Sequence, residues 1–148
     1  MRKQDELISL YFQSMELFRI LESIPRDFGS GDLLYKSEVH TLATIGYHPG
    51  INLTELSLEM NVSKSAISKF VKKLLDKNLI RKSMEKDNRK EVVFYLTQKG
   101  QIVFTGHEAF AKSTFSGIYE LLNSLSQDEN IFLTNFFKEL IARIKASM

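Results

Sequence analysis

Cysteine is absent from all 148 residues. That absence removes disulfide staples, thiolate-rich zinc sites, cysteine nucleophiles and thiol-based redox sensing together. Proline is scarce, at two residues, and long apolar runs are missing, because every apolar stretch is short and broken by polar residues. Arg2 and Lys3 lead straight into Gln4, Asp5 and Glu6 without an apolar signal region, so a cytoplasmic protein with no membrane partner is expected. The sequence also lacks a phosphate-cradling glycine loop, a nucleophile elbow and any cluster of acid and base groups, so neither an enzyme nor a cofactor is expected. Internal repeats and low-complexity segments are absent too.

What remains is a chain with 43% hydrophobic and 26% charged residues. This composition fits one compact domain, or one domain with helical extensions, rather than disorder. The formal net charge of +2 conceals an uneven distribution. Residues 61–100 hold 11 Lys/Arg against 4 Asp/Glu, whereas the rest of the chain holds 9 against 14. A polyanion facing the central segment is the natural reading of that asymmetry.

Periodicity predicts a mainly α protein. Ile8, Tyr11, Phe12, Met15 and Phe18 fall at helical spacing in a first helix that stops before Pro25, and Gly29, Ser30, Gly31 and Asp32 mark residues 25–34 as a loop. Ser37 is expected to cap a second helix that runs to about Gly46. Asn52, three residues before Glu55, forms a capping box for a short third helix ending at Asn61, a residue type that tolerates the left-handed backbone of a helix stop. Ser63 caps a fourth helix to about Lys77, and Asn78 repeats the stop. Strand-like runs at 80–86 and 91–96 flank a charged connection and predict a hairpin with a basic tip. Thr97 caps a long helix from Gln98 to about Asn123, in which Gly100, Gly106 and Gly117 lower the propensity. Ser126 and Glu129 form a second capping box, for a last helix lined by Phe132, Phe136, Phe137, Leu140, Ile141 and Ile144.

On a helical wheel of the fourth helix, Ile67, Phe70, Val71 and Leu74 share one side. Ser65, Ser68, Lys69, Lys72 and Asp76 lie opposite, flanked by Lys73. Such a helix by itself fits a solvated amphipathic surface better than a binding face. The capped short helix before it, the tight turn, and the hairpin after it with Lys86, Asp87, Arg89 and Lys90 change that weighting toward double-stranded DNA. Short hydroxyls and lysines near a helix start can reach base edges in the major groove, and flanking lysines neutralise phosphate. Arginine suits the narrow minor groove, so Arg89 is the expected wing contact, and Asp87 is placed to brace it rather than to touch DNA.

These residues resemble the multiple-antibiotic-resistance regulator (MarR) family. The likeness runs through Asn52-Leu53-Thr54-Glu55-Leu56, Val62-Ser63-Lys64-Ser65-Ala66-Ile67-Ser68, Leu79-Ile80-Arg81-Lys82, Asp87-Asn88-Arg89 and Leu96-Thr97-Gln98-Lys99-Gly100. Asn78 departs from the family's usual glycine while keeping access to the left-handed region. The resemblance implies a homodimeric winged-helix transcription regulator that binds near-palindromic DNA and often responds to a small ligand. By position it makes the helix from Ser63 the recognition helix, with Lys64, Ser65, Ser68, Lys69, Lys72 and Lys73 as DNA-binding residues. Lys86, Arg89 and Lys90 would serve the wing.

The expected division is a helical dimerisation region over 1–34 and 101–148 around a winged helix-turn-helix over 35–100. Tyr11, Phe12, Phe132, Phe136, Phe137 and Leu140 are candidates for a two-fold interface. A cleft for a small-molecule effector is expected between these regions, with Phe18, Tyr47 and His107 in its lining. In zinc-sensing members of the resembled family, metal ligands occur in the regions that here contain His40 and His107. A complete site is not expected, because alanine stands at 111, where a second histidine would complete a helical pair. A winged helix docking an acidic protein is the alternative that does not involve DNA.

Overall fold

Each helix of this chain starts where a nearby side chain accepts a backbone N–H of its first turn or cap. The computed structural model describes residues 2–84 and 91–148. Helix α1 spans Lys3–Ser23 and stops ahead of Pro25. Residues 25–34 are more ordered than a plain loop. β1 (Arg26–Asp27) and β2 (Leu33–Leu34) pair as a small antiparallel hairpin. Its tip is organised by Asp27 Oδ1, which accepts the backbone N–H groups of Gly29, Ser30 and Gly31 at 2.8, 3.0 and 3.1 Å. Gly29 and Gly31 take φ values of 102° and 83°, which glycine adopts without a Cβ penalty.

Helix α2 spans Lys36–Tyr47, and its start corrects the expectation of a Ser37 cap. Tyr35 holds the cap position, and the Glu38 carboxylate accepts the Tyr35 backbone N–H at 2.9 Å. Ser37 lies inside the helix, where its carbonyl accepts the Thr41 hydroxyl at 2.7 Å. A glutamate reaching back one turn can close a helix start without a short capping hydroxyl at the cap position.

The next elements follow the sequence reading with one addition. β3 (Ile51–Asn52) leads into α3 (Leu53–Met60), α4 (Lys64–Asp76), β4 (Ile80–Met84), β5 (Val92–Leu96) and α5 (Gln98–Asn123). The expected hairpin is present as β4 and β5, in a register running from Ile80 opposite Leu96 to Met84 opposite Val92. β3 adds a third antiparallel strand on the far side of β5, with Ile51 opposite Phe94. Leu42 and Ile45 of α2, Leu56 of α3, and Ile67 and Leu74 of α4 are fully buried with Leu79 and Val103. These side chains and Phe94 form one core that fixes the three helices against the sheet.

Two glycines of α5 serve packing. A Cβ at Gly100 would stand 1.9 Å from the Leu79 carbonyl oxygen, and one at Gly106 would stand 2.2 Å from that of Phe28. Neither place has room for a side chain, so the helix can approach both segments only because these residues are glycine.

The chain divides into two compact units, residues 1–108 and 109–148, and α5 contributes to both. In the second unit α6 (Gln127–Ala146) is capped as expected. Ser126 Oγ accepts the Glu129 N–H at 3.3 Å, and the Glu129 carboxylate accepts the Ser126 N–H at 2.8 Å. Asn130 closes the turn by donating to the carbonyls of Leu122, Leu125 and Ser126. Among the described residues, no helix is long and apolar enough to cross a membrane.

Candidate nucleic-acid interface

The helix-turn-helix rests on side chains that satisfy helix ends. Asn52 Oδ1 accepts the Glu55 N–H at 2.8 Å, and the Glu55 carboxylate accepts the Asn52 N–H at 2.9 Å. α3 ends at Asn61 in the left-handed region, with φ 51° and ψ 47°. The Val62 N–H then donates to the Ser57 carbonyl, and the Ser57 hydroxyl donates to the Val62 carbonyl at 2.6 Å. This pair of bonds closes the turn and sets the entry of α4. Ser63 caps α4 by accepting the Ala66 N–H at 3.3 Å, and its hydroxyl lies 3.2 Å from that of Ser65.

α4 is sharply two-sided. Ile67, Val71 and Leu74 are buried, and Phe70 packs partly buried against the core. Lys64, Ser65, Ser68, Lys69, Lys72 and Lys73 are all exposed, so the six predicted positions form one solvent-facing surface of hydroxyls and ammonium groups. The four expected wing residues, Lys86, Asp87, Arg89 and Lys90, lie outside the described residues. The described strands end at Met84 and resume at Val92 on either side of that segment.

The C-terminal end of α4 is held by an ion pair that the sequence reading missed. Glu38 of α2 is 1% exposed, and its carboxylate accepts from Lys77 Nζ at 2.8 Å. Lys77 also donates to the Leu33 carbonyl at 2.9 Å. Lys99 pairs with Asp32 at 2.7 Å and donates to the Lys77 carbonyl at 3.2 Å. The Lys99 ammonium holds the Asp32 carboxyl below the usual carboxylate range, against the opposing pull of desolvation. A buried carboxylate needs a paired cation, so Lys77 is committed to Glu38, while Lys99 pairs with the partly exposed Asp32. Arg81 lies over the Tyr95 ring, 4.7 Å from its centroid. Among the described basic residues of 61–100, Lys77 and Lys99 are thus tied into ion pairs, whereas Lys64, Lys69, Lys72 and Lys73 lie on the exposed face of α4.

The effector candidates occupy different surroundings. Tyr47 donates to Glu108 and packs edge-on to Phe104, with ring centroids 5.1 Å apart. The hydrogen bond to Glu108 raises the Tyr47 pKa. His107 meets the rings of Phe28 and His40 at 5.5 and 5.7 Å. Its Nδ1 is buried, 3.9 Å from the Glu108 carboxylate and beyond hydrogen-bond reach. Phe18 sits on α1 at 38% exposure. Burial pushes the pKa of both His40 and His107 down, and for His107 the His40 imidazole adds to the shift. Among the described residues, no group of three His, Asp or Glu side chains is arranged to hold a metal ion.

A helix-turn-helix followed directly by two strands, with a third strand before its first helix, defines a winged-helix protein. Residues 34–92 match the family model described as "MarR family". Over 110 residues, 74% of this chain and 65% of the relative, the sequence is 34% identical to the "HTH-type transcriptional regulator PchR" of Bacillus subtilis (strain 168). The chain thus spans just under two thirds of that relative's length. Among solved structures, it is similar to Lactococcus lactis ZitR, wild type in complex with DNA, with a TM-score of 0.80 and 21% identity over 97% of this chain and 99% of that one. Streptococcus pneumoniae FabT in complex with DNA is also similar, with a TM-score of 0.72 and 20% identity over 97% and 99%. These two likenesses bear on the fold. Residues 34–92 of this chain therefore match a MarR family domain.

Proposed function

We propose that this chain is a MarR-type transcription regulator that binds near-palindromic double-stranded DNA as a homodimer, with α4 in the major groove and the wing in the minor groove. The observation that carries the reading is the free face of α4, where Lys64, Ser65, Ser68, Lys69, Lys72 and Lys73 are exposed while the opposite side is locked into the core. A helix fits the major groove, short hydroxyls let it approach base edges, and lysines neutralise the flanking phosphates. Lys86, Arg89 and Lys90 are assigned to the wing, with Asp87 bracing Arg89. The relative PchR is named a transcriptional regulator, and ZitR and FabT were solved with DNA, which supports the reading by analogy of fold.

Dimerisation is assigned to the helices over 1–34 and 101–148, around a winged domain over 35–100. In the first unit, Phe12 of α1 is 62% exposed, and in the second Phe132 is 68% exposed and α6 has no buried residue. Large apolar side chains left in solvent at this density favour association, and a two-fold pair of reading heads matches a two-fold DNA site. A small-molecule effector would meet Phe18, Tyr47 and His107, and a cytoplasmic location fits a regulator of transcription.

A titration against random duplex DNA at several salt concentrations tests the DNA reading. Affinity is expected to fall by about a thousandfold or more between roughly 50 and 200 mM salt, as counterion release requires for six or more phosphate contacts. Weak binding with a nearly flat salt response would instead favour an acidic protein partner.

A further inference from the structure

The cap of α3 uses an asparagine, and the structure gives that choice a second purpose. Asn52 offers one acceptor and two donor hydrogens on the same amide. Its Oδ1 accepts the Glu55 N–H at 2.8 Å, while its Nδ2 donates to the Glu91 carboxylate. A flipped amide would point Oδ1 at Glu91 and Nδ2 at the Glu55 N–H, so the two partners together fix its orientation. Glu91 directly precedes β5 and follows the basic segment 86–90 in sequence. Asn52 is also paired with Val93 across the β3–β5 ladder. One side chain therefore joins the start of the helix-turn-helix to the return strand of the wing.

We propose that Asn52 and Glu91 form a positioning pair that sets the wing relative to the helix-turn-helix and thereby contributes to DNA affinity. The proposal rests on the DNA-binding reading above. Aspartate or serine would cap α3 equally well, because both supply an oxygen to the Glu55 N–H. Neither reproduces the second bond. Aspartate would set one carboxylate against another, and serine is too short to serve both partners at once.

The test is a double-mutant cycle on the full chain, read by affinity for a selected duplex and by amide exchange of Val92 and Val93 in the DNA-free protein. N52D and N52S are each expected to weaken DNA binding about three- to tenfold, the scale of one hydrogen bond to a charged group. Both should also speed exchange at Val92 and Val93 while the protein stays folded. E91Q alone keeps an acceptor for Asn52 and should bind at least as well as wild type. Combining N52D with E91Q lets the new carboxylate accept from the Gln amide, so affinity and slow exchange should return together, and by more than the sum of the single effects.

Strict additivity in affinity would mean that only net charge near DNA had changed, and it would overturn the proposal. So would wild-type exchange rates at Val92 and Val93 in N52S. If wild type bound no duplex at all, the DNA reading would fall. The exchange measurements would still decide whether the pair couples the two elements.

Discussion

Ser65 and Ser68 have short hydroxyl side chains that can come near a base edge only if the helix itself does, whereas Lys69 and Lys72 reach outward on four-carbon stems. Under the proposed DNA reading, that difference separates specificity from affinity on one exposed face. Ser68→Ala is expected to reorder which duplexes bind best. Lys72→Ala is expected to weaken all duplexes alike and to lower the slope of log affinity against log salt by about one. Competition binding across a panel of single-base variants at two salt concentrations checks both, and a change of base preference in Lys72→Ala would contradict the assignment.

His40 and His107 give a residue-scale prediction about pH. Burial lowers both below the ordinary histidine value of 6.5. The Lys36 charge also lowers His40 while Glu22 opposes it, and Glu108 opposes the shift at His107. Because the folded values are depressed, the unfolded chain binds protons first. Stability is full above about pH 6.5 and declines as the pH falls below it. Denaturant midpoints at about pH 7.5 and 5.5 should therefore differ in wild type and differ less in His107→Leu, where only His40 still titrates below its unfolded value. Equal wild-type midpoints would contradict the burial argument. At this scale the caps at Asn52, Ser63, Thr97 and Ser126 were legible in the sequence, because cap and partner lie three residues apart. The pairs Glu38 with Lys77 and Asn52 with Glu91 were not, since each joins residues 39 apart that only the finished fold brings together.

Elements were legible in proportion to their length. Helices α3 to α6 lie where periodicity and stop signals put them, and the wing strands keep their expected places as far as the described residues extend. The two-residue strands β1, β2 and β3 were missed because a single alternation carries no period. The glycines of α5 were read as weak points of propensity, whereas Gly100 and Gly106 are contact sites. That distinction predicts opposite signs within one helix. Gly106→Ala would drive a Cβ into the Phe28 carbonyl and should destabilise the fold. Gly117 has nothing within 4 Å of a built Cβ, so Gly117→Ala should stabilise by roughly 0.5 to 1 kcal/mol through helix propensity. Thermal unfolding of the two variants decides this, and a Gly106→Ala protein as stable as wild type would contradict the packing role.

For the whole molecule, the formal charge of +2 says little until it is divided by use. Lys77 and Lys99 are tied to Glu38 and Asp32, Arg81 lies over Tyr95, and the free ammonium groups of α4 share one face. The sequence could show a basic segment but not that internal allocation, which depends on where α2 and the β1–β2 hairpin fall. The apolar side chains left exposed on α1 and α6 are the surface to which the proposed two-fold assembly, with two such faces, is assigned. The most direct measurement is selection of bound duplexes from a random pool. The account predicts enrichment of a near-palindromic site whose two half-sites have centres about one DNA turn, some 34 Å, apart. Recovery of no preferred sequence, or of a single half-site without its symmetric mate, would contradict it.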